Sequence, residues 1–259
     1  MGVYLIYFII IVLSNTVGAV SGMGGGVIIK PVFDTFAFHS LAAITFYSSV
    51  AVFTMSISST YKQLKNGVKV NWIQALFISI GSIIGGIVGN RLFGYLLEFY
   101  GSEQQVQLIQ IVLTIVSLVL VLIYTLGNPK MLHLKSPFVY LLVGLFLGGF
   151  STLLGIGGGP INVSLLVFCF GLSMKDATVY SIITIFFSQL AKLIEIAFST
   201  GFESYDLTIL LAIIPAALLG GYLGGGVSGK VSDKVVSKIF ITVVIVVIAI
   251  NVLNGINLF

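Results

Sequence analysis

Charge is what this chain has least of. Lys, Arg, Asp and Glu make up 8% of its 259 residues, against about 25% in an ordinary soluble domain. A soluble fold of this length could not cover its surface with so few. Cysteine is nearly absent too: Cys169 is the only one and stands in an apolar run. It has no internal disulfide partner, which argues against redox chemistry and a thiolate metal site. The two histidines, His39 and His133, lie far apart with no carboxylates at ligand spacing, so a His-based metal or catalytic centre is not expected. Nucleotide-binding loops and nucleophile–base pairs are also missing. The expectation is a protein that is not an enzyme and uses no cofactor and no metal. The net charge of +4 fits cytoplasmic loop lysines of a membrane protein better than a nucleic-acid footprint.

Apolar residues (58%) and glycine (30 residues) are plentiful, and the apolar runs suffice for several spans of ~20 residues each. The glycines carry a duplication. Ser21-Gly22-Met23-Gly24-Gly25-Gly26 recurs 133 positions on as Leu154-Gly155-Ile156-Gly157-Gly158-Gly159. The same shift carries Thr45-Phe46-Tyr47-Ser48 onto Thr178-Val179-Tyr180-Ser181, and a shift of 135 carries Gly85-Gly86-Ile87-Val88-Gly89 onto Gly220-Gly221-Tyr222-Leu223-Gly224. Landmarks repeated in one order indicate two homologous halves: a first repeat over 1–127, a cytoplasmic linker over 128–136 and a second repeat over 137–259. The opening stretch lacks the basic n-region of a signal peptide and aligns with 134–153, so it reads as part of the fold.

Each half predicts five helical segments: 3–20, 27–37, 41–61, 70–97 and 106–126, then 138–154, 160–170, 177–198, 207–227 and 235–253. The second segment of each half is anomalous. At 1.5 Å per residue it covers only ~16 Å, half of a ~30 Å hydrocarbon core. The loop charges orient the halves. Lys62, Lys65 and Lys69 follow the third segment, whereas Glu203 and Asp206 stand at the equivalent place. Glu98 and Glu103 follow the fourth, whereas Lys230, Lys234 and Lys238 stand beside Asp233 in the second half. Opposite signs at equivalent places put the lysine loops, with Lys130 and Lys135, inside and both termini outside. The expected fold class is therefore all-α, a polytopic membrane protein of two inverted repeats. Each repeat would be a broken-helix hairpin plus three transmembrane helices.

In such a repeat the glycine bends enter from opposite faces and meet near the middle. Irregular backbone at that depth survives only where protein buries it or a polar cavity lines it. The short helices start right after Gly24, Gly25, Gly26 and Gly157, Gly158, Gly159, so their free N–H groups and positive dipole ends would face one another as an anion site. Pro160 suits the first helical position. The competing view is that the glycines are close-packing surfaces, and the later groups Gly85–Gly89 and Gly220–Gly226 are assigned to it. Thr45 and Thr178, ahead of Tyr47, Ser48, Tyr180 and Ser181, are candidate oxyanion donors or interhelical glue. Lys30, replaced by Val163 in the repeat, is either an anion ligand, an i,i+4 partner of Asp34 or a snorkelling side chain. Lys192 and Glu195 are expected to pair at i,i+3, with proton coupling a minority alternative, and Arg91 to anchor at the outer interface.

These residues resemble a known family. Paired Gly-x-Gly-Gly-Gly segments, Pro31 soon after the first, Gly-Gly-x-x-Gly-Asn-Arg-Leu at 85–92 and the length are similar to the sulfite exporter TauE/SafE family, also described as toluene-sulfonate-uptake-type permeases. The resemblance covers essentially the whole chain. It implies a plasma-membrane, multi-pass permease for small sulfur-containing anions such as sulfite, sulfoacetate or sulfonates, linked to protons. The second half departs from the pattern, with Gly225-Gly226 where the first has Asn90-Arg91, and Lys30 beside Pro31 is not a family feature. The function expected is a secondary transporter working by alternating access around the two bends. A passive small-anion channel on the same scaffold is the alternative.

Overall fold

The computed structural model describes residues 2–67, 70–127 and 130–258. Lys69, Asn128 and Pro129, named above for the loop and linker, lie outside it, as do the two terminal residues. Within it the chain is helical, in the order α1 (Gly2–Ser21), α2 (Gly26–Phe36), α3 (Leu41–Lys65), α4 (Trp72–Tyr100), α5 (Glu103–Leu126), α6 (Pro137–Leu153), α7 (Pro160–Phe170), α8 (Met174–Phe198), α9 (Leu210–Lys230) and α10 (Asp233–Asn257). One 3-10 turn, Leu207–Ile209, leads into α9. No strand is present among the described residues. Seven helices are long and apolar enough to cross a membrane: α1, α3, α4, α5, α8, α10 and the 3-10 turn with α9. The short pair α2 and α7 have 11 residues each, as the spacing predicts. Several expected ends move outward by about a turn, and at the start of α8 a polar cap lies beyond the apolar run, Ser173 Oγ accepting from Asp176 N. α3 starts where expected, with Ser40 Oγ accepting from Ala43 N, and α4 starts two residues later than expected, with Asn71 Oδ1 accepting from Ile73 N and Gln74 N.

Small residues set the packing. Gly81, Gly85 and Gly89 recur every fourth position along α4 and meet Gly144 and Gly148 of α6. An added Cβ at any of the five would run into backbone carbonyls of the other helix. Gly220 and Gly224 of α9 press in the same way on the carbonyls of Val12 and Thr16 in α1. Without a hydrophobic drive between helices in lipid, such close approach supplies the contact energy. A single Cβ there would cost on the order of 1–3 kcal/mol in overpacking. The assignment of these later glycines to packing agrees with this geometry.

α3 and α8 are the most buried spans, and both are rich in hydroxyls. Several bond back to their own helix, as Ser49 to the Thr45 carbonyl (2.7 Å) and Thr184 to the Tyr180 carbonyl (2.8 Å). The bundle's ends differ in charge. Contacts of Asn66 with Gly225, Lys62 with Tyr222 and Lys175 with Gly229 gather the lysine-bearing ends of α3, α8, α9 and α10 together. The opposite end joins Glu103 to the start of α3 (Leu41 N, 2.9 Å) and Tyr47 to Asp206 (3.1 Å).

Candidate functional site

The two glycine bends meet. Gly24 lies against the Gly157 carbonyl, Gly26 against that of Ile156 and Gly158 against that of Met23. Gly24, Gly157, Gly158 and Gly159 take φ of 72°, 63°, 135° and 150°, a region that favours glycine. Gly25 does not: its φ is −70°. Glycine is required there because a Cβ would collide with the Oδ1 of Asn15, a steric reason rather than a backbone one. Pro160 follows the cap residue Gly159, at the first position of α7. Val52 and Ile185 pack their side chains against Gly24, with Val52 also against Gly157 and Ile185 against Gly158. The meeting point is thus covered by two aliphatic side chains at equivalent places in α3 and α8. Sequence reasoning passed over both, though the 133-residue shift relates them.

The threonines cross over. Thr178 of α8 lies against Gly22 in the first bend, and Thr45 of α3 against Gly155 in the second. Their hydroxyls differ. Thr178 Oγ1 donates to the Met174 carbonyl (2.9 Å), whereas Thr45 Oγ1 is buried without a partner. Ser181 donates to the Gly22 carbonyl (2.6 Å), while its counterpart Ser48 has no partner. Lys30 reaches Gly155 with its Cε and pairs with Asp34 (2.6 Å), both side chains almost fully buried. The i,i+4 pair weighed for Lys30 is present.

Above Thr45 a vestibule of about 290 Å³ opens between α3, α4 and α8, lined by Thr45, Asn90, Arg91, Lys192, Glu195 and Tyr205 among others. The expected Lys192–Glu195 pair is absent. Glu195 instead takes a hydrogen bond from Asn90 Nδ2 and lies 3.8 Å from Arg91 Nε. Both of those partners sit on α4 and are invisible to an i,i+3 count. Lys192 is left 1% exposed with no hydrogen-bond partner for its Nζ. Arg91, its side chain 74% exposed, stands at the mouth. At the rim, burial pushes the Tyr205 phenol up, and hydrogen bonds from Thr208 hold Asp206 below the usual carboxylate range. The six bend glycines are absent from the vestibule lining.

Seven span-length apolar helices with buried polar side chains on the innermost two define a multi-pass membrane protein. Residues 7–251 match the family model described as Sulfite exporter TauE/SafE. The chain belongs to that family, whose members are membrane transporters. No curated protein and no solved structure matches it.

Proposed function

We propose that the protein is a secondary transporter for small sulfur-containing anions such as sulfite, sulfoacetate or sulfonates, working by alternating access around the joined glycine bends in the plasma membrane. The observation that carries this reading is a vestibule that descends to Thr45 and a buried lysine from one end of the bundle, while Val52 and Ile185 cover the bends beneath. A path open at one end and blocked at the centre suits a carrier better than a continuous pore. Two inverted repeats are supported by matched contacts: Tyr47 bonds Asp206 before α9, and Tyr180 bonds Asn71 N (2.7 Å) before α4. The proposed units are the repeats 1–127 and 137–259, joined by the linker 128–136. The lysine end is inside by the charge rule, so the vestibule faces out. The bend N-termini then supply positive potential below it.

Purified protein in proteoliposomes tests the function. Saturable counterflow of labelled sulfite under anaerobic conditions is expected, and unsaturable conductance would make it a channel. Single cysteines separate the topology from the transport question: one at Lys65 should label only from the cytoplasm and one at Glu203 only from outside. Labelling of both from one face would end the inverted-repeat reading.

A further inference from the structure

Buried polar atoms in folded proteins almost always have partners, and each exception calls for an explanation. Four side chains on the two central helices break the rule together. Thr45 Oγ1 and Ser48 Oγ on α3, and both amide atoms of Gln189 and the Nζ of Lys192 on α8, are buried with no hydrogen bond. The helices run antiparallel here. Thr45 and Lys192 share the vestibule floor, and deeper in, Val52 and Ile185 share the glycine bend. Ser48 stands one helical turn below Thr45, and Gln189 one turn below Lys192, so both occupy the level between floor and bend. The four groups form a polar stretch that begins at the vestibule and ends at the Val52–Ile185 cover.

Their charge is unbalanced. Lys30 is neutralised by Asp34, and Glu195 is engaged by Asn90 and Arg91. No ion pair among the described residues involves Lys192. An ammonium buried at this depth without a counter-charge is expensive, and in a membrane protein it marks an ion pathway. All four side chains can donate hydrogen bonds, and a compact oxyanion offers several acceptors on one centre.

We propose that Thr45, Ser48, Gln189 and Lys192 form the anion-binding site, with Lys192 the counter-charge for a small sulfur oxyanion held above the Val52–Ile185 cover. This places the ligand beside the bends rather than between their helix ends. It rests on the reading of the chain as an anion transporter, and the test separates the two. Calorimetric titration of the nanodisc-embedded protein with sulfite and with sulfate should show binding. Lys192→Met should weaken it roughly thirty-fold or more, with the exposed Lys65→Met as the unchanged control. Equal affinity in Lys192→Met, or no binding by the parent, overturns the site. Parent counterflow with unaltered Lys192→Met binding would leave the transport reading standing without the site. Lost binding in Lys192→Met, but no counterflow by the parent, would leave the site standing without transport. If Lys192→Met fails to elute as one species, selenate diffused into crystals of the parent decides. An anomalous peak within hydrogen-bonding reach of Lys192 Nζ is expected, and a peak at the glycine bends alone contradicts the proposal.

Discussion

Two helix seams, α3–α9 and α4–α8, begin with the same glycine step and then part company. In α9, Gly221 presses on the Met55 carbonyl, Gly225 comes within 3.0 Å of the Ser59 carbonyl at its missing Cβ, and Gly229 meets Asn66. In α4, Gly86 meets the Ser188 carbonyl at 2.8 Å, but Asn90 stands where α9 has Gly225. Gly94, the counterpart of Gly229, has nothing within 4 Å of where its Cβ would be. One seam is zipped along its length, and the other is wedged by Asn90 and Glu195 and opens into the vestibule. Equivalent backbones can therefore hold opposite states, with substituents at a few positions choosing which seam is shut. The proposed alternating access of two inverted halves requires such an asymmetry.

The largest effect should come from the bends that both seams enclose. Gly25→Val and Gly158→Val should abolish counterflow per folded molecule, through collision with Asn15 in the first and with Ile185 plus a strained φ in the second. Gly86→Val and Gly221→Val should chiefly lower yield. Counterflow normalised to monodisperse protein is the readout, and parental flux in both bend variants would reduce those glycines to packing residues.

Next is Lys30→Met. Because Asp34 is buried with it, removing the lysine alone strands a carboxylate at a cost of about 3–5 kcal/mol, so poor yield is expected. Lys30→Met with Asp34→Leu should recover folding, and transport by that double variant then shows whether the ammonium itself is needed. Thermal denaturation of the single and double variants checks the first half.

The seams can be broken one at a time. Gly225→Leu should destabilise by about 1–3 kcal/mol through overpacking of the zipped seam. Gly94→Leu should change stability by less than about 0.5 kcal/mol while blocking closure of the vestibule, so that counterflow falls with folding intact. Equal stability losses would mean that the two seams are packed alike. Smallest is Arg91→Ala. Its exposed pair with Glu195 is worth less than about 1 kcal/mol, and a shift of sulfite affinity by only a few-fold is expected from titration.

Much of this architecture is legible in the residues. Half-length helices after glycine runs, the packing glycines and loop lysines separated from loop acids all report local or periodic physics, and the structure gathers them as expected. What escapes is tertiary choice. Lys192 and Glu195 satisfy the spacing of an ion pair, yet Glu195 finds a closer donor on α4, which no periodicity reveals. Val52 and Ile185 look like any apolar residues in a span. Gly25 sits in a motif of positive-φ glycines but is small for the sake of Asn15, a neighbour ten positions away.

Spin labels on a background lacking the buried Cys169 would test the seam comparison most directly. One pair at Gly94 and Thr200 spans the vestibule wall, and another at Lys65 and Lys230 spans the lysine end. Pulsed dipolar distances in nanodiscs, with and without sulfite, should shift reciprocally, the first pair drawing together as the second moves apart. Distances that stay fixed in both pairs while counterflow is measurable, or that open together, would contradict alternating closure of the two seams.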